Sequence, residues 1–189
     1  MRRIFLPIAI LLAHAFGCSA PPPVTHVSAS YKEYTSVDEL AADADAIVQG
    51  RIERRVANFD ASEGNGQREP GITMVAYDLV ILAKSRNTAT PDIVSLVHPD
   101  MTKAIFEDVV DVKVGQTYVL FLKSSKWGSR PSFTPRSGVV YSVLGAMAGA
   151  FEVNNSGVRV VNSSVQGKFD APGLLRLSPG HALSNAAPK

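Results

Sequence analysis

Hydrophobic and polar positions change their period several times along this chain, and the changes mark out its elements. After Met1-Arg2-Arg3 comes an apolar run from Ile4 to Phe16, about 13 residues long. That is short of the roughly 20 residues a membrane-spanning helix needs, and behind a cationic start it predicts a signal peptide over residues 1–17. Pro7 inside the run and Pro21-Pro22-Pro23 after it oppose a buried first helix. From Pro21 to Tyr34 the chain is rich in Pro, Ser and Thr without a period, which predicts a flexible tether over residues 18–34. Ser36-Val37-Asp38-Glu39 then has the form of a capping box and predicts a short helix through Leu40-Ala41-Ala42-Asp43-Ala44.

From Ala46 the period becomes two. Val48, Gly50, Ile52 and Val56 fall on one side and Gln49, Arg51, Glu53 and Arg55 on the other, as in a half-buried strand. Gly50 inside it predicts a bulge or a close backbone approach. Residues Asn58 to Gly71 are polar and glycine-bearing and predict a long connection. The next run, Ile72 to Ala83, is apolar on both parities, as in a coiled strand shared by two sides of a barrel. Shorter strands are predicted at Ile93–Val97, Thr117–Leu122, Gly138–Val143, Ala150–Val153 and Val158–Val161. Asn154-Asn155-Ser156-Gly157 joins the last two as a hairpin turn, since Asn and Gly tolerate positive φ. Residues 35–177 are therefore expected to form a single all-β domain with a short N-terminal helix, and residues 178–189 a disordered tail.

Charge and cysteine usage sharpen this outline. The whole chain has 19 Lys+Arg and 17 Asp+Glu, and loss of Arg2 and Arg3 with the signal peptide leaves 17 of each. A formally neutral mature protein has no basic footprint for nucleic acid. Cys18 is the single cysteine, so an exported form closes no internal disulfide. Ala15-Phe16-Gly17-Cys18-Ser19 resembles the lipobox of bacterial lipoproteins, with Ala15 where Leu is usual. The resemblance implies lipidation of Cys18 and an anchor in a membrane of the cell envelope; ordinary cleavage near Ala20 would instead secrete the protein. Arg2-Arg3-Ile4-Phe5-Leu6 also looks like a twin-arginine signal, although general secretion fits the strongly apolar run better.

Asp43-Ala44-Asp45-Ala46-Ile47-Val48-Gln49-Gly50-Arg51-Ile52, a long strand, and Val114-Gly115-Gln116-Thr117-Tyr118-Val119-Leu120-Phe121-Leu122 together resemble a pattern common in uncharacterised secreted bacterial proteins. More remotely they resemble the netrin-like, tissue-inhibitor-of-metalloproteinase-like domains. That resemblance covers residues 36 to 125 and implies an OB-like small β-barrel of five strands. The inhibitors' zinc-binding N-terminal cysteine is disulfide-bonded, and Cys18 has no disulfide partner here, so no inhibitor residue is carried over.

Candidate chemistry is sparse. The mature chain offers His26, His98 and His181, and only His98, in Val97-His98-Pro99-Asp100, lies at a strand end where a catalytic base could sit; a loop histidine is the ordinary reading. A zinc site would need clustered His, Cys or carboxylate ligands, and no such spacing occurs. Asp60, Glu63 and Asn65 do not meet the alternation of a calcium loop, and Glu107, Asp108 and Asp111 read as a solvated strand entrance. Neither a metal nor another cofactor is expected. Asn154-Asn155-Ser156 and Asn162-Ser163-Ser164 match a glycosylation sequon but read as turn residues. Lys126, Trp127, Arg130 and Phe133, with Lys123 and Arg136 beside them, interleave cations and rings as a candidate contact loop for an envelope protein or glycan. The competing reading has Trp127 covering one end of the barrel. The chain thus reads as a non-enzymatic binding or structural module of the bacterial envelope; the alternative is an envelope enzyme or protease-inhibitor-like protein. A conserved polar cluster at a barrel mouth would favour the alternative, and an exposed apolar patch around Trp127 the module.

Overall fold

A computed structural model of the chain describes residues 25–27, 32–62, 72–87, 89–102, 104–106, 111–125, 127, 132–145, 147–162 and 169, with backbone alone for 25–27 and 104–106. Helix α1 (Val37–Asp43) starts where the capping box places it, with the Ser36 hydroxyl accepting from the Glu39 amide at 3.2 Å. The Glu39 carboxylate reaches one residue further back than a standard box, accepting from the Thr35 amide at 2.8 Å and the Thr35 hydroxyl at 3.1 Å. Ala44 is extended and closes the helix, because Asp45 is already drawn to the sheet by a bond from its amide to the Leu122 carbonyl at 2.8 Å.

The strands are β1 (Thr25–Val27), β2 (Ala46–Asp60), β3 (Thr73–Arg86), β4 (Ile93–Pro99), β5 (Ala104–Phe106), β6 (Thr117–Ser124), β7 (Val140–Val143), β8 (Ala150–Asn154) and β9 (Gly157–Val160). Five of them close a ring in the order β2-β3-β4-β7-β6 and back to β2. All of its pairs are antiparallel except β4 with β7, which run parallel. This is the five-stranded Greek-key barrel of OB type expected from the sequence. The hairpin of β8 and β9 extends it from the N-terminal half of β6. Three residues of the segment read as tether form β1 and pair in parallel with β5.

Strand β2 makes closure possible. Its residues 46–51 pair with β6 on one edge, and from Ile47 onward it pairs with β3 on the other, so that beyond residue 51 it follows β3 alone. Gly50 lies at a register shift, and a Cβ there would stand 2.7 Å from Leu79 Cδ1 and 3.0 Å from the Val80 carbonyl oxygen. Further shifts between Ile52 and Arg54 and between Arg55 and Ala57 break the simple alternation. Val56, expected inside with Val48 and Ile52, is consequently exposed. Ile47, on the opposite parity, is buried because α1 covers that face.

Three apolar clusters result. The barrel interior holds Val48, Ile52, Tyr77, Leu79, Leu96, Tyr118, Leu120 and Met147 among others. A second cluster joins Val37 and Leu40 of α1 to Phe121 and Phe151 on the outside of β6 and β8. A third lies outside β2, β3, β4 and β7, where Phe59, Met74, Ala76, Val97 and Val140 are covered by Phe133 and Trp127. Among the described residues no helix is long and apolar enough to cross a membrane.

Candidate functional site

The parallel pair that closes the barrel is short. β4 and β7 are in register only at Ser95 with Val140 and Leu96 with Tyr141, and beyond these the two strands part. The gap is a cavity of about 320 Å³. Met74 of β3, Val97, His98 and Pro99 of β4, Lys123 of β6, and Ser142 and Val143 of β7 line it, together with Leu144, Gly145 and Met147 of the following turn.

That turn is tightly made. The Gly149 amide bonds the Leu144 carbonyl at 3.1 Å, Ala148 bonds Gly145 at 2.8 Å, and Ala150 bonds Met147 at 3.1 Å. Gly145 has φ +57 and packs against Tyr34, where a Cβ would come within 2.7 Å of the ring. Met147, 1 % exposed, also has a positive φ of 78, a conformation unusual for a residue with a long side chain. The surrounding packing holds Met147 there, and its side chain both plugs the barrel and forms part of the cavity wall.

His98 is 3 % exposed and faces inward, since it pairs across the ladder with Val75 of the interior. Its Nδ1 lies 2.6 Å from the Pro99 carbonyl oxygen. An oxygen that only accepts requires Nδ1 to donate. At the rim, Lys123 Nζ donates to Asp45 Oδ1 at 2.7 Å and to the Asp43 carbonyl at 3.1 Å. These contacts, with the Ser124 amide at 2.8 Å, hold the Asp45 carboxyl below the ordinary range, Lys123 being the main cause. Tyr34, whose hydroxyl donates to Asp43 at 3.0 Å, is pushed up to about 12 by burial and by that carboxylate.

A polar cluster also lies where β2, β3 and the end of β4 meet. Arg55 donates to Asp100 at 2.7 Å and, through Nε, to the Asn58 side chain at 2.8 Å. Asp100 further accepts from the Thr102 hydroxyl at 2.6 Å and amide at 3.1 Å. Burial alone would raise the Asp100 carboxyl, but Thr102 and Arg55 together hold it below its usual value. Tyr77 reaches Asp111 at 3.5 Å and is pushed up to about 12 by burial and by the Asp111 charge. Arg54 pairs with the buried Asp78 at 2.9 Å. These carboxylates are engaged by fixed partners within the chain, which is the arrangement of structural ion pairs.

Of the sequence-predicted candidates, Phe133 is 4 % exposed and stacks on Phe59 with centroids 5.6 Å apart, and Trp127 lies half-buried on the same ring at 5.9 Å. Trp127 thus covers the outer face of the barrel rather than one end. Lys126, Arg130, Cys18, Glu63, Asn65, Glu107 and Asp108 lie outside the described residues. Asp60 caps its own turn, accepting from the Ser62 amide at 2.7 Å and hydroxyl at 2.6 Å. Among the described residues, no three His, Cys, Asp or Glu side chains are grouped to hold a metal ion. Met74 and Met147 were not singled out by sequence reasoning, because isolated methionines carry no spacing signal.

No protein-family model matches the chain, and no curated protein matches it. The strand order itself defines the class: a closed five-stranded barrel of OB type, extended by a hairpin, with one parallel seam that opens into a cleft.

Proposed function

We propose that this protein is a non-enzymatic binding module of the bacterial cell envelope, exported by residues 1–17 and held at a membrane surface through lipidated Cys18, and that it takes a small ligand in the cleft between β4 and β7. The cleft is the observation that carries this reading. Mostly apolar walls with a few placed polar groups, at a volume near 320 Å³, are the usual form of a small-ligand site. The chemistry around it favours binding over catalysis. The polar cluster around Asp100 spends its charges on intrachain partners, which weakens the enzyme alternative.

The test is methyl NMR of the full-length protein in detergent, labelled at methionine methyls, against a library of small apolar and amphipathic molecules. Ligands should shift Met74 and Met147 while leaving Met101, which is outside the cleft lining, in place. Ser142→Phe, which narrows the rim, should abolish those shifts. Binding that moves neither methyl, or no binding by any ligand class, would overturn the reading.

A further inference from the structure

The cleft lies where β4 and β7 part, so residues of both strand faces contribute to its wall. Met74 and Val97 belong to the outer apolar cluster, Val143 and Met147 to the barrel interior, and Leu144 packs with α1. Such a wall gives any apolar chain a place to lie, and its few polar groups decide which head group the chain can carry. We propose that the cleft selects uncharged amphipathic molecules, an apolar chain ending in one hydroxyl or carbonyl, and rejects acids and amines of the same size. The inference rests on the cleft being the ligand site.

Matched charge at the rim is the first ground. No carboxylate and no arginine line the cavity, and Lys123 is its one lysine. The Lys123 ammonium is turned to Asp45 at 2.7 Å and to the Asp43 carbonyl at 3.1 Å, which leaves the alkyl stem to the cleft. The Asp43 carboxylate beside it is matched in turn by Lys32 and by the Tyr34 hydroxyl at 3.0 Å. A charged head group at this mouth gives up hydration and meets no unmatched opposite charge, so it binds more weakly than a neutral one. The second ground is Ser142. It stands directly across from Lys123 in the ladder of β6 and β7, lines the cleft, and has no hydrogen-bond partner among the described residues. A hydroxyl donates once and accepts twice, so Ser142 can meet an alcohol or a carbonyl oxygen equally well. The selection therefore comes from two neighbouring positions: a cation already spent within the chain, and a neutral hydroxyl that is not.

The experiment titrates the full-length, methionine-methyl-labelled protein, held in nanodiscs of a zwitterionic lipid, with hexanol, hexanoate and hexylammonium at neutral pH. These probes share one apolar chain and differ in the head. Hexanol should shift the Met74 and Met147 methyls saturably, and the two ions should bind at least about tenfold more weakly. Ser142→Ala should weaken hexanol by about fivefold, the loss of one hydrogen bond. Asp45→Asn keeps an acceptor for the Ser124 amide but leaves Lys123 unmatched, so it should raise hexanoate affinity by about tenfold and leave hexanol unchanged. Unfolding midpoints of both variants separate altered binding from altered folding. Hexanoate or hexylammonium that binds the wild type as tightly as hexanol would overturn the proposed selectivity while the cleft remains a binding site. Hexanol binding that ignores Ser142→Ala, or hexanoate binding that ignores Asp45→Asn in a folded variant, would overturn it too. If none of the probes and no other small molecule moves either methyl, both readings fall.

Discussion

At the scale of single residues, Asp100 shows how one side chain ties an irregular segment to the barrel. It sits at the end of β4, is 2 % exposed, and receives Arg55 and both polar groups of Thr102. Its carboxyl is held below its usual value in the folded protein, so its stabilisation is fully present above the unfolded value of about 3.9 and is lost as pH falls through the lower, folded one. Asp100→Asn should therefore reduce stability at neutral pH by about 1–2 kcal/mol. The deficit should shrink as acid protonates the wild-type group. Urea unfolding of both proteins across the acid range checks this, and a deficit that stays constant with pH would refute it. The cluster escaped the sequence reading because Arg55, Asp100 and Asp111 are far apart along the chain and become neighbours only when β2 and β4 flank β3.

At the scale of elements, legibility follows range. The Ser36 cap of α1 and the Asn154 to Gly157 hairpin were readable because their causes lie within four residues: a hydroxyl meets a nearby amide, and Gly157 takes the positive φ of 122 that the turn requires. The outer half of β2 was not, because its bulges reverse the parity that places Val56 inside. The segment between β6 and β7 is a harder case. Its Phe133 and Trp127 have the composition of a contact loop, yet both rings pack on Phe59. Phe133→Ala should cost about 3 kcal/mol of stability and Trp127→Ala, already half in solvent, about 1 kcal/mol. Denaturant unfolding measures both. Equal, negligible losses would mean the rings do not anchor the segment, and would return weight to a partner contact there.

At the scale of the whole molecule, a ring of five strands joined by one short parallel seam gives the protein both its stability and its opening. The proposed anchor is tested at this scale as well. Cys18→Ala should move the protein from the membrane fraction to the soluble fraction and abolish labelling by a fatty-acid analogue; unchanged sedimentation with membranes would refute lipidation.

What the amino-acid sequence determined by itself is the set of local choices. Period-two runs made strands, a capping box made a helix, Gly50 marked a close approach, and an apolar start with one cysteine set the expectation of export and anchoring. Tertiary structure alone decided the rest, since it depends on which edges meet. Closure of β2 onto β6 buried the inner faces of the strands, and α1 and the segment carrying Phe133 and Trp127 covered parts of the outer ones. The parting of β4 from β7 opened a cavity lined from β3, β4, β6, β7 and the turn after β7, segments far apart along the chain. Periodicity reports which face of an element is buried, but convergence is a property of the closed barrel, and no window along the chain contains it.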